Sequence, residues 1–475
     1  MMRLTATFNA KTLRCVLLQL ALFGTTSSLA AVSQSPLSLT TGVPPNMLLT
    51  LDDSGSMRWG FAPDGLAGES ATRRGKSSTY NPLYYNPGAT YQAPIVFDTS
   101  GNEQRLATSF TQAWHNGFRT SVGSTNLSGA GYRATWDVPI TTAPGSTGYG
   151  YGDATNYAQP TGQVLRLADN PSADFSATAS LSTLFTTQVT SPGGIQFSIT
   201  PTLIGVLGCT AVASVQGVFS GVAADCSRTA SGYVATLTRR AVPAYYYVYD
   251  ASRAVNCSIS NDNCYALRFV TSAEQQNFAT WYSFYRNRAL STISAAALAF
   301  YDLSPSVRLS WQGLGRCTSF DGSDTTYCRN NALKAYTPAH KGQLYAWLQN
   351  ITFDQSTYLP AAMKRAGEFY RTVTPWQAYP SGTGTNTTQN TYACRASYHI
   401  MMTDGQWNEA TTAPSNFRHD AASFTLPDGR PITQRAPYYD STANTLADLA
   451  MHYWATDLNT SLSNNLTAYT PYKSG

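Results

Sequence analysis

The sequence runs to 475 residues, enough for two or three ordinary domains or for one domain carrying a large insertion. Charged residues are only 12% of it, against 30 Tyr and 35 Gly, which describes the polar, weakly charged surface of many extracellular β-rich proteins. The net charge of +5 comes without any run of Lys or Arg, so the basic stripe that nucleic-acid binding calls for is absent.

Residues 1–30 read as a secretory signal: Arg3, Lys11 and Arg14 precede an apolar core from Cys15 to Leu22, and Ser28-Leu29-Ala30 offers small residues for cleavage before Ala31. The apolar run is too short for a retained anchor, and no other segment reaches a membrane-spanning length. Cys15 stands at the start of the apolar core rather than after it and so does not read as a lipoprotein cysteine.

After Pro44 and Pro45, Met47-Leu48-Leu49-Thr50-Leu51 is a short apolar run that predicts a fully buried strand. It leads directly into Asp52-Asp53-Ser54-Gly55-Ser56. Residues 58–272 change character, becoming rich in Gly, Ser, Thr, Tyr and Pro, with short alternating stretches such as Gly232 to Leu237. The Tyr80–Pro87 stretch is turn-rich and aromatic, without a helical period.

Export leaves seven cysteines, six of them in close sequence pairs: Cys209 and Cys226, Cys257 and Cys264, Cys317 and Cys328. The spacing suggests three small disulfide loops, although six cysteines allow about fifteen pairings. Zinc is the weaker alternative, since there is no Cys-x-x-Cys and no His near these pairs. Cys394 is left over, either buried or paired outside the chain.

From Glu274 to Tyr301, Phe278, Trp281, Tyr282, Tyr285, Leu290, Ile293, Ala297 and Leu298 recur at helical spacing, and Pro305 closes the element. Val307 to Trp311 predicts a strand. Leu344 to Ile351 and Leu359 to Tyr370 predict helices, His399 to Thr403 a second buried strand, and Asn444 to Asp457 a last helix. Strands alternating with helices mean an α/β sheet. More than two hundred residues separate the first strand from its helix, which places a β-rich insertion in the intervening loop.

Three motifs fall at strand ends or helix starts: Asp52, Ser54 and Ser56 after the first strand; Thr357 before a helix; and Asp404, in Thr403-Asp404-Gly405, after the second buried strand. In an open α/β sheet the carboxyl ends of the strands line the ligand crevice, so these loops can converge. Three hydroxyls and two carboxylates make an all-oxygen site suited to a hard cation, Mg²⁺ first, with Ca²⁺ or Mn²⁺ as alternatives. Such a site leaves a coordination position for water or for a partner's carboxylate, and the metal then becomes the adhesive contact. Taken alone, Asp-Asp-Ser-Gly-Ser is a polar turn more often than a metal loop; Thr357 and Thr403-Asp404-Gly405, in order, turn the reading toward metal.

Leu51-Asp52-Asp53-Ser54-Gly55-Ser56-Met57 resembles the metal-ion-dependent adhesion site of von Willebrand factor A domains. The chain as a whole resembles the PilY family of type IV pilus biogenesis proteins and tip adhesins. Val43-Pro44-Pro45-Asn46, Tyr80–Pro87, Asn277 to Arg286, Met402 to Asn408 and Ala450 to Leu458 carry that resemblance, in order, over most of the mature chain.

The resemblance implies an α/β, von Willebrand factor A-like doubly wound sheet, incomplete at its C-terminus, with residues 31–57 as first strand and metal loop, 58–272 as insertion and 273–475 as the remainder. It implies direct metal ligation by Ser54, Ser56 and Thr357, with Asp52 and Asp404 acting directly or through water. Ser356-Thr357-Tyr358-Leu359 departs from the family's Gly-Thr-Pro-Leu but keeps the hydroxyl. Family members also carry a C-terminal β-propeller with its own calcium loop, so the resemblance implies an N-terminal piece or truncated product. The implied setting is an exported protein at the periplasm, outer-membrane surface or pilus tip, acting in adhesion, pilus assembly and twitching motility. Its implied partners are minor pilins and a host or surface receptor, a protein.

Other readings stay in view. Tyr84 and Tyr85 could stack on glycans, but loop packing is the plainer reading, and core packing is the plainer reading of the stripe from Phe278 to Tyr285. Asp321, Asp324 and the Asn261-Asp262-Asn263 turn do not match an EF-hand loop. Five His residues exist, but Ser54-Gly55-Ser56 is not the Gly-x-Ser-x-Gly elbow of a serine nucleophile, and His399 falls in a predicted strand; no catalytic residue is assigned, and the chain is read as a non-enzyme. The alternatives are a secreted metal-dependent hydrolase and a structural pilus component that needs no metal.

Overall fold

In the computed structural model the first apolar run is a strand, β1 (Asn46–Leu51), at the centre of a four-stranded sheet. Its neighbours are β2 (Arg308–Gly313) and β4 (Ser397–Met402), both parallel to it, and β3 (Lys334–Ala335) lies antiparallel on the outer side of β2. The structure describes residues 43–128 except 68, 70 and 71; 175–239 except 182–186, 191–195, 205–207 and 216–218; 244–379; 390–408; and 423–427, 429, 431–432, 442 and 445–463. The expected signal over 1–30 lies outside them. The chain divides into units Met1–Val43 and Pro44–Gly475, and the sheet and its helices belong to the second.

Parallel pairing aligns the carboxyl ends of three strands, with Leu51 level with Gly313 on one side and Met402 on the other. Side chains alternate across the sheet. Leu49 and Leu51 join Leu309 and Trp311 in one core with α2 (Arg288–Ala299) and α3 (Pro338–Leu348), while Leu48 packs on the opposite face against Ala366 and Tyr370 of α4 (Leu359–Arg371). Helices therefore cover both faces, which is why β1 and β2 read as nearly continuous apolar runs. Burying each such leucine contributes about 1.5–3 kcal/mol.

One polar row is buried under α4. Gln312 Nε2 donates to Thr50 Oγ1 at 2.7 Å, which also meets His399 Nε2 at 2.7 Å, while Arg365 Nε donates to Gln312 Oε1 at 3.0 Å.

Two sequence expectations need correction. The helix predicted from Glu274 to Tyr301 is two helices, α1 (Gln275–Phe284) and α2; the Asn287 side chain accepts from the Leu290 amide at 2.8 Å and starts a new helix there. The apolar run of β4 predicts a buried strand, but β4 is an edge strand among the described residues, with Tyr398 40% and Ile400 37% exposed. The last helix is α5 (Leu446–Ala455), opened by a Thr445/Asp448 capping box.

Between β1 and β2 the chain builds a six-stranded antiparallel sheet from segments within 175–239, and a hairpin of Tyr245–Tyr249 with Tyr265–Phe269. Tyr84, Tyr85, Tyr245, Tyr265, Phe278, Trp281 and Tyr282 form one buried aromatic cluster, joining this hairpin to α1. Tyr84 and Tyr85 thus serve packing. Disulfides join Cys209 to Cys226, Cys257 to Cys264 and Cys317 to Cys328, and Cys394 is free and exposed rather than buried. Among the described residues no helix is long and apolar enough to cross a membrane.

Candidate metal centre

At the carboxyl end of β1 the chain leaves the sheet through Asp52 and Asp53, both buried, then makes a single 3-10 turn, Gly55–Arg58. Asp52 Oδ1 accepts the Ser54 amide at 2.8 Å, the local Asx bond that Asp favours in turns. Ser54 sits at the N-cap of the 3-10 turn, where a serine hydroxyl ordinarily accepts a backbone amide. Its side chain makes no capping bond and instead meets Ser56 Oγ at 3.1 Å. Two hydroxyls are thereby held side by side over a buried carboxylate.

The loop before α4 comes to the same rim. Gln355 N donates to Asp53 O at 3.1 Å and Gly55 N to Gln355 O at 3.0 Å, a parallel bridge that fixes Thr357 two residues further on. Thr357 is 7% exposed, and its amide donates to Asn408 Oδ1 at 3.0 Å. The loop after β4 is tied in from the other side: Asp52 N donates to Met402 O at 2.9 Å and Thr403 Oγ1 to Asp52 Oδ2 at 2.8 Å. Gly405 follows at φ +114°, a conformation L side chains rarely adopt.

Asp404, next to Thr403, is held differently. Arg288 Nη1 donates to its Oδ2 at 2.7 Å, and Nη2 donates to Asp64 Oδ1 at 2.5 Å. Arg288 is buried and its guanidinium lies over the rings of Trp59 and Phe61. Asp64, Arg288, Thr403, Asp404 and Gln406 share a cavity of about 440 Å³ beside the rim.

The geometry thus gathers the loops bearing Asp52, Ser54, Ser56, Thr357 and Asp404, with Asp404 engaged by an arginine. Burial raises the Asp52 carboxyl above its ordinary range, the Ser54 and Thr403 hydrogen bonds oppose this, and the neighbouring Asp404 charge adds to it. A cation at this position would relieve that strain on the ionised form. Among the described residues no three His, Cys, Asp or Glu side chains gather as a metal cluster, so a cation here would rely on hydroxyls and carboxylates, the chemistry of a hard ion.

Sequence reasoning passed over four residues. Asp53 is structural: its carboxylate accepts the amides of Leu314, Gly315 and Arg316 at 2.9, 3.0 and 3.0 Å and so shapes the turn after β2. Gly313 is required there, because a Cβ would stand 2.5 Å from Asp53 Oδ2. Arg288, Asp64 and Asn408 act across 116, 224 and 51 residues respectively, and no local pattern announces such contacts.

Comparison with known proteins gives one group of relatives. The chain is 36% identical over 451 residues to the type IV pilus biogenesis factor PilY1 of Pseudomonas aeruginosa strain UCBPP-PA14, covering 94% of this chain and 30% of that protein. It is 34% identical over 447 residues to the PilY1 of strain PAK, covering 93% of this chain and again 30% of the relative. The chain therefore spans under a third of the length of these relatives. No protein-family model matches it, and no solved structure does.

Proposed function

We infer, from a chain that belongs to the PilY family along 93% of its length, that it serves in type IV pilus biogenesis as an exported protein of the pilus tip. Its three-loop rim is a metal-ion-dependent adhesion site on a von Willebrand factor A-like sheet. Ser54, Ser56 and Thr357 would supply hydroxyl ligands, and Asp52 and Asp404 carboxylates acting directly or through water. Mg²⁺ is the first choice, Ca²⁺ or Mn²⁺ the alternatives. Bound there, the ion would offer a coordination position to a carboxylate on a receptor protein or a minor pilin. The protein's own part is to hold the hydroxyls together, keep Asp52 ionised and aim Asp404.

The observation that supports this most is the tie between loops: Asp52 bonded to Thr403, and Asp53 and Gly55 to Gln355, on one rim at the carboxyl end of parallel strands. No histidine is among the described residues of the three rim loops, and the Asp52 carboxylate that accepts the Thr403 hydroxyl is buried and also holds the Ser54 amide, so the arrangement favours holding an ion over turning over a substrate. Replacing Asp52 and Ser54 by Ala in the exported protein separates the readings. Adhesion and twitching lost with export intact support the site. Loss of a hydrolytic turnover instead would support a secreted hydrolase, and no change would support a structural component that needs no metal.

A further inference from the structure

At the end of the central sheet away from the three loops, two arginines are buried with no acidic partner among the described residues. Arg308, the first residue of β2, is 4% exposed, and Arg395, two residues before β4, is 2% exposed. They flank the start of β1. The Arg308 amide donates to Pro45 O at 2.9 Å, Arg395 Nη1 donates to the Pro44 carbonyl, and Asn46 is level with both Arg308 and Ser397.

Each guanidinium carries five N–H donors. Arg308 Nη1 donates to Gln377 O at 2.9 Å, but Arg308 Nε and Nη2 and Arg395 Nε are buried with no hydrogen-bond partner among the described residues. The flanking chain cannot supply a counter-charge: residues 1–51, 303–320 and 369–403 contain no Asp or Glu. Asn46 Oδ1 is orphaned in the same place, yet a neutral amide oxygen absorbs one N–H and none of the charge. Burial, and then the charge of Arg395, push Arg308 down to about 9, and burial pushes Arg395 down to about 10, so both remain cations at neutral pH.

Two adjacent buried cations with orphaned donors are among the most costly arrangements a protein can hold, and a bound anion is a recognised resolution. We propose that Arg308 and Arg395 form a binding site for a small oxyanion, a group presenting two or more anionic oxygens, which ties together the starts of β1, β2 and β4. Guanidinium forks match such oxygens in pairs. The surface is close: Cys394 and Tyr398, on either side of Arg395 in the chain, are exposed. This site is independent of the metal reading.

The test is calorimetric titration and thermal unfolding of the whole chain with sodium phosphate, sulfate or acetate against chloride at equal ionic strength. One anion is expected to bind saturably, one per chain, and to raise Tm by about 3–6 °C at a hundredfold excess over Kd. Strongest binding by acetate identifies a carboxylate as the ligand, and strongest binding by phosphate or sulfate a free inorganic anion. Arg308→Met and Arg395→Met should each weaken binding at least tenfold. Because each removes an uncompensated charge, neither should melt below the parent in chloride alone. If a Met variant fails to fold, Arg395→Lys, which keeps the charge and loses the fork, carries the same comparison. Absence of saturable binding by all three anions, or an equal Tm shift in parent and variants, overturns the proposal.

Discussion

The Thr403 hydroxyl donates to the Asp52 carboxylate at 2.8 Å across 351 residues of sequence. This bond joins the loop after β1 to the loop after β4 and favours the ionised form of Asp52 against the burial that raises its carboxyl. Thr403→Val removes the donor and keeps the shape. It should weaken divalent-cation affinity by about 1 kcal/mol, roughly fivefold in Kd, while Tm moves little because Thr403 is exposed. Calorimetry beside a melting curve reads both.

Arg288 sets the charge of the same rim. It is buried between Asp64 and Asp404, so removing it leaves two carboxylates without their cation. Arg288→Met is expected to lower stability in chelator by about 3–5 kcal/mol. The affinity for a divalent cation should move the other way, tightening about tenfold as a fixed positive charge leaves the site. Denaturant unfolding with and without Mg²⁺ reads the two effects, and a variant destabilised equally in both conditions would count against Asp404 as a metal carboxylate.

Asp53 separates scaffold from site. Its carboxylate accepts three backbone amides of the turn after β2. Asp53→Asn puts an amide donor where one oxygen accepted and should cost about 2–4 kcal/mol. The loss should appear with or without divalent ions, as a lowered denaturant midpoint of unchanged slope.

Three histidines make the fold acid-sensitive: burial, and then the Arg286 charge, lower His115 from 6.5 to about 4, and two more lie at the central sheet. Burial lowers His340 and His399 from 6.5 to about 4; His340 Nε2 meets Leu309 O at 2.8 Å, and His399 Nε2 meets Thr50 Oγ1 at 2.7 Å. A histidine depressed in the folded state binds its proton more readily when unfolded. Stability is therefore full above pH 6.5 and is lost as pH falls from 6.5 toward 4, by at most about 1.4 kcal/mol per pH unit for each histidine. Unfolding midpoints measured across that window should fall, and His399→Gln should flatten the fall.

Much of the architecture was legible because it rests on local patterns. β1 and β2 are covered on both faces and so read as apolar runs, and the helices show their period. The break at Asn287 was hidden because the aromatic stripe continues across it, while one capping side chain decides where the new helix starts. β4 misled because apolar residues occupy both faces of an edge strand, Tyr398 and Ile400 on one and Met401 on the other, where burial in the sheet's centre would demand the same composition. At the rim, the Asx turn of Asp52 and Ser54 is local and was readable. The grip of Arg288 on Asp404 belongs to tertiary packing, and no spacing in the chain encodes it.

The central claim is that the rim holds one divalent cation on oxygens from three loops. It is tested most directly by calorimetric titration of the whole chain with Mg²⁺, Mn²⁺ and Ca²⁺ beside Ser54→Ala, Thr357→Val and Asp404→Ala, one variant from each loop. The parent is expected to bind at a single site, and all three variants to lose affinity tenfold or more; in chelator Ser54→Ala and Thr357→Val should melt near the parent, and Asp404→Ala below it because Arg288 is left with Asp64 alone. A folded parent that takes up none of the three ions, or one whose affinity survives all three substitutions, would contradict it.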